Sequence, residues 1–205
     1  MTSLPRDGRR ARGDVTRRRT ARKAAEIATT HGLDAITVGG LAEATGLSKS
    51  GILTVFGNRE QIQVAAVAEA RRIYRETVIA PAWDAEPGRP RLRALMDSWI
   101  DYLLQEVFPG GCFVAATSVE YGHRVGPVAE SVRALKREWL DLLEAELVAA
   151  GSAHPTDDAF RIDAFLVAGN TRRELFGDDD ELGRAKALVL EVIGSSSEAA
   201  GNLGS

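Results

Sequence analysis

The chain has 205 residues, of which 44% are hydrophobic and 27% charged, so it is long enough for one or two globular domains with a sizeable core. No apolar run approaches the roughly 20 residues that span a bilayer, and the basic N-terminus has no apolar block behind it. We therefore expect neither a membrane span nor a secretory signal. Cys112 is the only cysteine, which excludes an intrachain disulfide and favours a cytoplasmic location.

The net charge of −3 is unevenly distributed along the chain. Residues 1–60 hold 11 Lys and Arg against 6 Asp and Glu, whereas the remainder holds 15 against 23. A basic N-terminal part on an acidic body indicates that only the first part meets a polyanion such as nucleic acid.

The N-terminal residues 1–14 lack apolar periodicity and are predicted to form a disordered arm. A first helix is expected to start near Thr16 or Arg17 and to end at Gly32. Its start carries a dense basic run that includes Arg17, Arg18 and Arg19. Such a run could follow DNA phosphates or enter a minor groove as an arm, and the alternative is a solvated charged face.

Residues 37–56, TVGGLAEATGLSKSGILTVF, predict two short helices joined by a tight turn. Thr37 and Ser48 are N-cap residue types, and Gly46 suits a left-handed turn between the helices. This is the pattern of a helix-turn-helix, whose second helix enters the DNA major groove. The candidate DNA contacts of the motif are Thr37, Ser48, Lys49, Ser50 and Thr54. The alternative for the outer face of the second helix is an ordinary solvated surface.

Apolar residues at helical spacing predict a long fourth helix up to Pro81 and further helices as far as Ile193. No strand alternation appears, so the predicted fold class is all-α with about nine helices. We expect a DNA-binding head at residues 15–60, a helical bundle at 61–193 and a disordered tail at 194–205.

Two stretches of this chain resemble the TetR family of transcriptional regulators. The first covers roughly residues 16–75 and includes the basic first helix, the helix-turn-helix and the sequence FGNRE at 56–60. The second, less specific, includes PGGCFVAATSVEY after Phe108 and GPVAESVRALKREW from Gly126. The resemblance implies an all-helical homodimer whose first three helices bind operator DNA. The remaining helices would enclose a small-molecule pocket and pair with a second subunit.

Three positions of the DNA-binding part can be compared with the family residue by residue. Arg59 resembles a family lysine at the start of the fourth helix, which implies a phosphate contact. Leu53 and Val55 stand where the family usually has Tyr and Tyr or His, residues that commonly reach DNA phosphates. Because these two apolar side chains cannot hydrogen-bond, phosphate anchoring must come from elsewhere or be weaker.

Aromatic residues concentrate in the middle of the chain, where the resemblance places a ligand pocket. The candidate pocket residues are Trp83, Trp99, Tyr102, Phe113, Glu120 and Tyr121. The alternative, that the aromatic side chains are plain core, stays open.

The last two predicted helices each carry an apolar stripe with small residues in it. Paired with the same helices of a second subunit, they would form an antiparallel four-helix bundle. The candidate interface residues are Phe160, Ala164, Val167, Leu182, Leu188 and Val192. The alternative is that these helices complete the core of a monomer.

The sequence as a whole predicts a DNA-binding repressor that a small apolar or amphipathic ligand releases from its operator. Its expected partners are double-stranded operator DNA, a second copy of the chain and an unknown effector, with no cofactor and no metal. One alternative is a DNA-binding regulator or architectural protein without a ligand. Another is a small helical enzyme, for which the sequence offers no catalytic constellation. Cys112 is expected to be a buried hydrophobe rather than a reactive thiol.

Overall fold

The computed structural model describes residues 6–195, with side chains described for 13–194. These residues form nine α-helices, a short 3₁₀ turn at Leu33–Ala35 and no β-strand, which confirms the all-α prediction. The helices are α1 (Arg6–His31), α2 (Val38–Thr45), α3 (Lys49–Phe56), α4 (Arg59–Tyr74), α5 (Arg89–Leu104), α6 (Phe113–Tyr121), α7 (Pro127–Ala149), α8 (Pro155–Phe176) and α9 (Asp180–Ser195). Within the described residues, no helix has both the length and the hydropathy needed to cross a membrane.

Helix α1 begins earlier than predicted, at Arg6 rather than near Thr16. This stretch lacks an apolar stripe, but four of residues 6–15 are Arg, a strong helix former. The expectation of a disordered arm therefore does not hold for residues 6–14. Residues 1–5 of that arm, and 196–205 of the expected tail, lie outside the described residues.

Helix α4 continues past Tyr74 through a wider π turn, Arg75–Ile79, and a last turn, Ala80–Ala82. The backbone N–H of Ala80 donates to the carbonyl of Arg75, five residues back. Pro81 has no N–H, and a proline ring crowds the turn before it in a regular helix. The wider turn accommodates Pro81, so the helix includes it instead of ending before it.

The chain forms two compact units. The first unit is made of Met1–Arg72 and Phe108–Val132, and the second of Ile73–Val107 and Arg133–Ser205. These units differ from the predicted head and bundle because α6 and the start of α7 group with the N-terminal helices. The limits predicted for a head and a ligand-binding domain remain a prediction.

In the first unit, small side chains on α1 allow close packing. Ala24 and Ala25 are fully buried, together with Leu33 of the 3₁₀ turn. The chain after α5 approaches α1 most closely at Gly110, whose N–H donates to Oγ1 of Thr29 at 3.3 Å. A Cβ at Gly110 would lie 2.1 Å from the carbonyl oxygen of Thr29, so this position excludes every residue but glycine.

The core of the second unit is aromatic where α4, α5 and α7 contribute to it. The ring of Tyr74 meets Tyr102 edge-on at 5.7 Å and Trp139 at 5.6 Å between ring centroids. Trp99 is also buried. Such edge-to-face pairs add to the free energy gained by burying the rings.

The terminal pair, which we define as α8 and α9, packs through a glycine. A Cβ at Gly169 would lie 2.6 Å from Cβ of Ala185 and 3.2 Å from the carbonyl oxygen of Glu181. One turn further along α8, Arg172 donates to the carboxylate of Glu181 at 2.7 Å. The two helices therefore run antiparallel with their backbones in close approach.

Candidate nucleic-acid interface

Helix α3 is two turns long and is defined at both ends by its own sequence. Oγ of Ser48 accepts the N–H of Gly51 at 3.0 Å, which caps the start of the helix. Gly57 ends it with φ 82°, a conformation that only glycine adopts without strain. Ile52 and Phe56 are buried and anchor the inner face of the helix.

Helix α2 and the turn after it confirm the helix-turn-helix prediction. Oγ1 of Thr37 accepts the N–H of Gly40 at 3.0 Å and caps α2. Gly46 ends α2 in the left-handed conformation, with φ 71°, and its N–H donates to the carbonyl of Ala42. The tight turn brings Ser48 directly to the start of α3.

Three polar residues face outward on α3, as predicted. Lys49, Ser50 and Thr54 are all exposed. The hydroxyl of Thr54 donates to the carbonyl of Ser50 at 2.8 Å, and Oγ of Ser50 lies 3.2 Å from Oγ of Ser48. Lys49 lies along α2, since a Cβ on Gly39 would be 3.5 Å from its Cε. The DNA contacts of these side chains remain a prediction.

Arg17 connects α1 to the end of α3. Its guanidinium donates to the carbonyl of Val55 at 2.8 Å and lies 4.8 Å from the ring centroid of Phe56. The last carbonyls of a helix lack partners within it, and a cation is favoured at that end. Arg17, predicted to contact DNA, therefore holds the recognition helix. Arg18 and Arg19 are exposed on the same stretch of α1.

The other charges of the basic run have acidic neighbours. Arg22 and Lys23 each lie 3.0 Å from the carboxylate of Glu26. Arg18 lines a groove of about 450 Å³ between α1 and α4, whose lining also includes Asp14 and Glu69. Among the described side chains of α1, Arg17, Arg18 and Arg19 are exposed arginines.

Arg59 connects the start of α4 to the loop between α1 and α2. Its Nε donates to the carbonyl of Ile36 at 2.7 Å, and its second nitrogen donates to the carbonyl of Asp34. The guanidinium also lies 3.8 Å from the carboxylate of Asp34. These bonds fix the approach to α2, and the phosphate contact predicted for Arg59 stays a prediction.

A carboxylate from α6 caps the 3₁₀ turn before α2. Oε2 of Glu120 accepts the N–H of Leu33 at 2.7 Å, and Oε1 accepts the N–H of Asp34 at 2.9 Å. Free N–H groups at a helical N-terminus favour an anion, so Glu120 suits this position. The residues are 86 and 87 positions apart, which explains why local sequence patterns carry no sign of the contact.

Two neighbours of Glu120 complete this cluster around Asp34. The hydroxyl of Tyr121 donates to Oδ1 of Asp34 at 3.0 Å, and Arg124 donates to Oδ2. The hydrogen bond from Arg124 holds the pKa of the Asp34 carboxyl below its usual value. Burial, with the bond to Asp34, raises the pKa of Tyr121 to about 12, so its phenol remains a donor at neutral pH.

The residues predicted to line a ligand pocket fall into both units. The polar groups of Glu120 and Tyr121 form hydrogen bonds with the loop before α2. Phe113 packs against Phe108 with 5.8 Å between ring centroids. In the second unit, Trp99 and Tyr102 belong to the aromatic core, as the open alternative supposed. None of these contacts shows whether a ligand binds, so the ligand pocket remains a prediction.

Trp83, the last pocket candidate, is half exposed at the end of the helix that α4 begins. The guanidinium of Arg91 lies 4.4 Å from the centroid of a Trp83 ring. A groove of about 410 Å³ runs along the same helix, lined by Arg75, Glu76, Ile79, Ala80 and Trp83.

Cys112 is buried, as expected of a structural cysteine.

The predicted dimer residues divide by exposure. Phe160 is 73% exposed, Ala164 is exposed, and Val167 and Leu188 are half-buried. Leu182 and Val192 are instead buried within the chain, because α8 and α9 already pack on each other. Their burial removes them from the surface available to a second subunit, so the prediction is corrected for these two residues.

Two capped short helices with this turn and this exposed outer face define a helix-turn-helix protein. Residues 88–189 match the family described as Tetracyclin repressor-like, C-terminal domain. An uncharacterized HTH-type transcriptional regulator of Mycobacterium tuberculosis is 31% identical over 141 residues, which are 66% of this chain and 71% of that protein.

Solved structures agree on the fold. A TetR transcriptional regulator from Chloroflexus aurantiacus matches with a TM-score of 0.80 and 22% identity, over 92% of this chain and 97% of that one. AibR, in complex with isovaleryl coenzyme A and operator DNA, matches with a TM-score of 0.66 and 20% identity, over 88% and 97%. The chain belongs to the TetR family of transcriptional regulators, and it is a DNA-binding regulator rather than an enzyme.

Proposed function

We propose that this regulator is a cytoplasmic repressor that binds operator DNA as a homodimer and is released by a small apolar or amphipathic ligand. The observation that carries the ligand response is the capping of the 3₁₀ turn by Glu120. This cap connects α6 to the loop that precedes α2, and α3 follows α2 directly. A displacement of α6 would therefore move the support of the DNA-binding helices.

The ligand response requires that the effector bind one arrangement of α6 more tightly than the other, since equal affinity shifts no equilibrium. AibR shares this fold and is named with isovaleryl coenzyme A and operator DNA. We extend that class of ligand, an acyl group on a polar carrier, to this chain as the proposal.

The homodimer is supported by the exposed apolar residues on α8. Phe160 and Leu175 are 73% and 72% exposed, and helical spacing places them with the exposed Ala164 on one side of α8. Large exposed apolar side chains on one helix are typical of a protein interface. Two-fold pairing through α8 would present two α3 helices to successive major grooves, roughly 34 Å apart.

The central test is an electrophoretic mobility shift with the DNA that lies upstream of the chain's own gene, at several salt concentrations. We expect a sequence-specific complex that isovaleryl coenzyme A, used as the first probe, dissociates. A series of longer acyl coenzyme A thioesters would then define the preferred chain length. Specific binding that none of these thioesters changes contradicts the proposed ligand class. Failure to prefer any upstream sequence contradicts operator binding at this locus.

The dimer is tested separately by light scattering in solution. Phe160→Asp should convert a dimer into a folded monomer, because it places a charge on the proposed interface. Val148→Asp is the matched control, since Val148 is 61% exposed on α7 and lies outside that surface. A wild-type chain that is monomeric at tens of micromolar concentration would contradict the proposed assembly.

A further inference from the structure

The outer face of α3 carries an exposed leucine that the core does not use. Leu53 is 42% exposed, whereas its neighbour Ile52 is fully buried and anchors the helix together with Phe56. On a helix with 3.6 residues per turn, Leu53 shares the outward side with Lys49 and Thr54. An apolar side chain therefore stands at the surface that faces the major groove.

The hydroxyl groups beside Leu53 already take part in hydrogen bonds within residues 48–54. The hydroxyl proton of Thr54 is donated to the carbonyl of Ser50, which leaves the Thr54 methyl group as its apolar end. Oγ of Ser48 is already the cap of α3. The aliphatic part of Lys49 lies beside Gly39 of α2. Leu53 and the Thr54 methyl group therefore form an apolar part of this face, beside the exposed Lys49, whose ammonium group is a donor.

Among the four base pairs, the C5 methyl group of thymine is the apolar feature of the major-groove edge. The other groups at that edge are donors and acceptors, and pressing one against leucine without a hydrogen bond costs free energy. Leucine also gains by covering a methyl group, since both lose contact with water. The chemistry of Leu53 thus selects one base over the others.

We infer that Leu53, with the methyl group of Thr54, contacts a thymine methyl group and sets a preference for thymine at one position of each operator half-site. This inference rests on the proposed operator binding and adds the base and the chemical group that α3 recognises. Leu53 is a specificity-determining residue in this account, and it makes no phosphate contact.

The experiment begins with a duplex that the purified full chain selects from a random-sequence pool. Each thymine of that duplex is replaced in turn by deoxyuridine, which removes the methyl group and nothing else. For the wild-type chain, we expect one replacement per half-site to weaken binding about fourfold, the effect of one buried methyl group. Dissociation constants are measured by fluorescence anisotropy at one fixed salt concentration, since affinity depends on salt.

In the Leu53→Ala variant, the difference in affinity between the thymine and deoxyuridine duplexes at that position should fall clearly below fourfold, because only the Thr54 methyl group still covers the thymine methyl group. Leu104→Ala is the matched control, because Leu104 is 46% exposed on α5, and this variant should keep the fourfold difference. A second measurement replaces the thymine by cytosine or by 5-methylcytosine. The wild-type chain should bind the methylated duplex about fourfold more tightly than the unmethylated one, and this difference should be clearly smaller for Leu53→Ala.

The inference is overturned if no deoxyuridine replacement weakens the wild-type complex, or if Leu53→Ala keeps the difference. These outcomes leave operator binding itself intact. A pool from which no sequence is enriched would overturn site-specific DNA binding, and the Leu53 contact with it.

Discussion

The helix-turn-helix and the terminal pair are held in place by different kinds of interaction. In the first, side chains from elsewhere in the chain bond to the backbone, as Arg17 does at Val55. In the terminal pair, the backbones approach directly at Gly169. A helix of eight residues buries few side chains, so its orientation depends on a few directional bonds. Helices of 16 to 22 residues bury a long stripe, and packing alone can align them.

The largest effect is expected in the terminal pair, from Gly169→Ala. The new Cβ would lie 2.6 Å from Cβ of Ala185, and overpacking of this kind costs roughly 1–3 kcal/mol of unfolding free energy or more. Gly183→Ala is the control, because a Cβ there meets nothing within 4 Å and should raise helix stability by up to ~1 kcal/mol. Urea unfolding measures the unfolding free energy of both variants. If Gly169→Ala were as stable as Gly183→Ala, the close approach at Gly169 would be unimportant for stability.

The next effect is expected in the cluster around the 3₁₀ turn, from Glu120→Ala. This change removes the acceptor of two backbone N–H groups, and we expect a loss of roughly 1–3 kcal/mol of unfolding free energy. Affinity for operator DNA should fall as well, because the loop before α2 loses its support. Glu191→Ala, at an exposed position on α9, should change neither quantity. If Glu120→Ala kept the wild-type affinity for operator DNA, the contact between α6 and the loop before α2 would not contribute to DNA binding.

This contrast also explains what the sequence could and could not predict. The helix-turn-helix was predictable because its caps and turn glycines act on residues one to four positions away. The contact of Glu120 was not, because its partners are 86 and 87 positions distant and no local pattern marks them. The intramolecular bonds of Arg17 and Arg59 were not predicted, because a sequence shows the charge of a side chain and not its hydrogen bonds, and the DNA contacts of both residues remain predictions. The early start of α1 was not predicted because residues 6–15 have no apolar periodicity and include two Gly and two Asp.

A smaller effect is expected when the bond between α1 and α3 is removed. Arg17→Gln should lose about 1 kcal/mol of unfolding free energy, since Arg17 no longer binds the carbonyl of Val55. It should also weaken binding to every duplex. Arg19→Gln should weaken DNA binding without changing stability, because Arg19 is exposed on the same helix. Thermal unfolding and anisotropy distinguish the two roles, and equal stability in both variants would make Arg17 an ordinary surface charge.

The smallest effect concerns pH. The pKa of Asp34 is lowered in the folded chain, so its ionised carboxylate adds stability at pH values above the ordinary aspartate pKa of 3.8. That contribution is lost as the pH falls through the lowered pKa. We therefore expect Asp34→Asn to be less stable than the wild-type chain at pH 7 and to approach it only as the pH falls below 3.8. A stability difference that does not change with pH would assign the effect to geometry rather than charge.

The construction of α3 has a consequence for the evolution and engineering of this regulator. Ile52 and Phe56 are its buried anchors, whereas the exposed side chains of Ser50 and Thr54 hydrogen-bond only within residues 48–54. Substitutions at the outward positions therefore leave the supporting contacts of the helix in place. New operator preferences can arise there by single changes without first lowering stability, which makes the outward face of α3 a region where specificity can diverge while the fold is conserved.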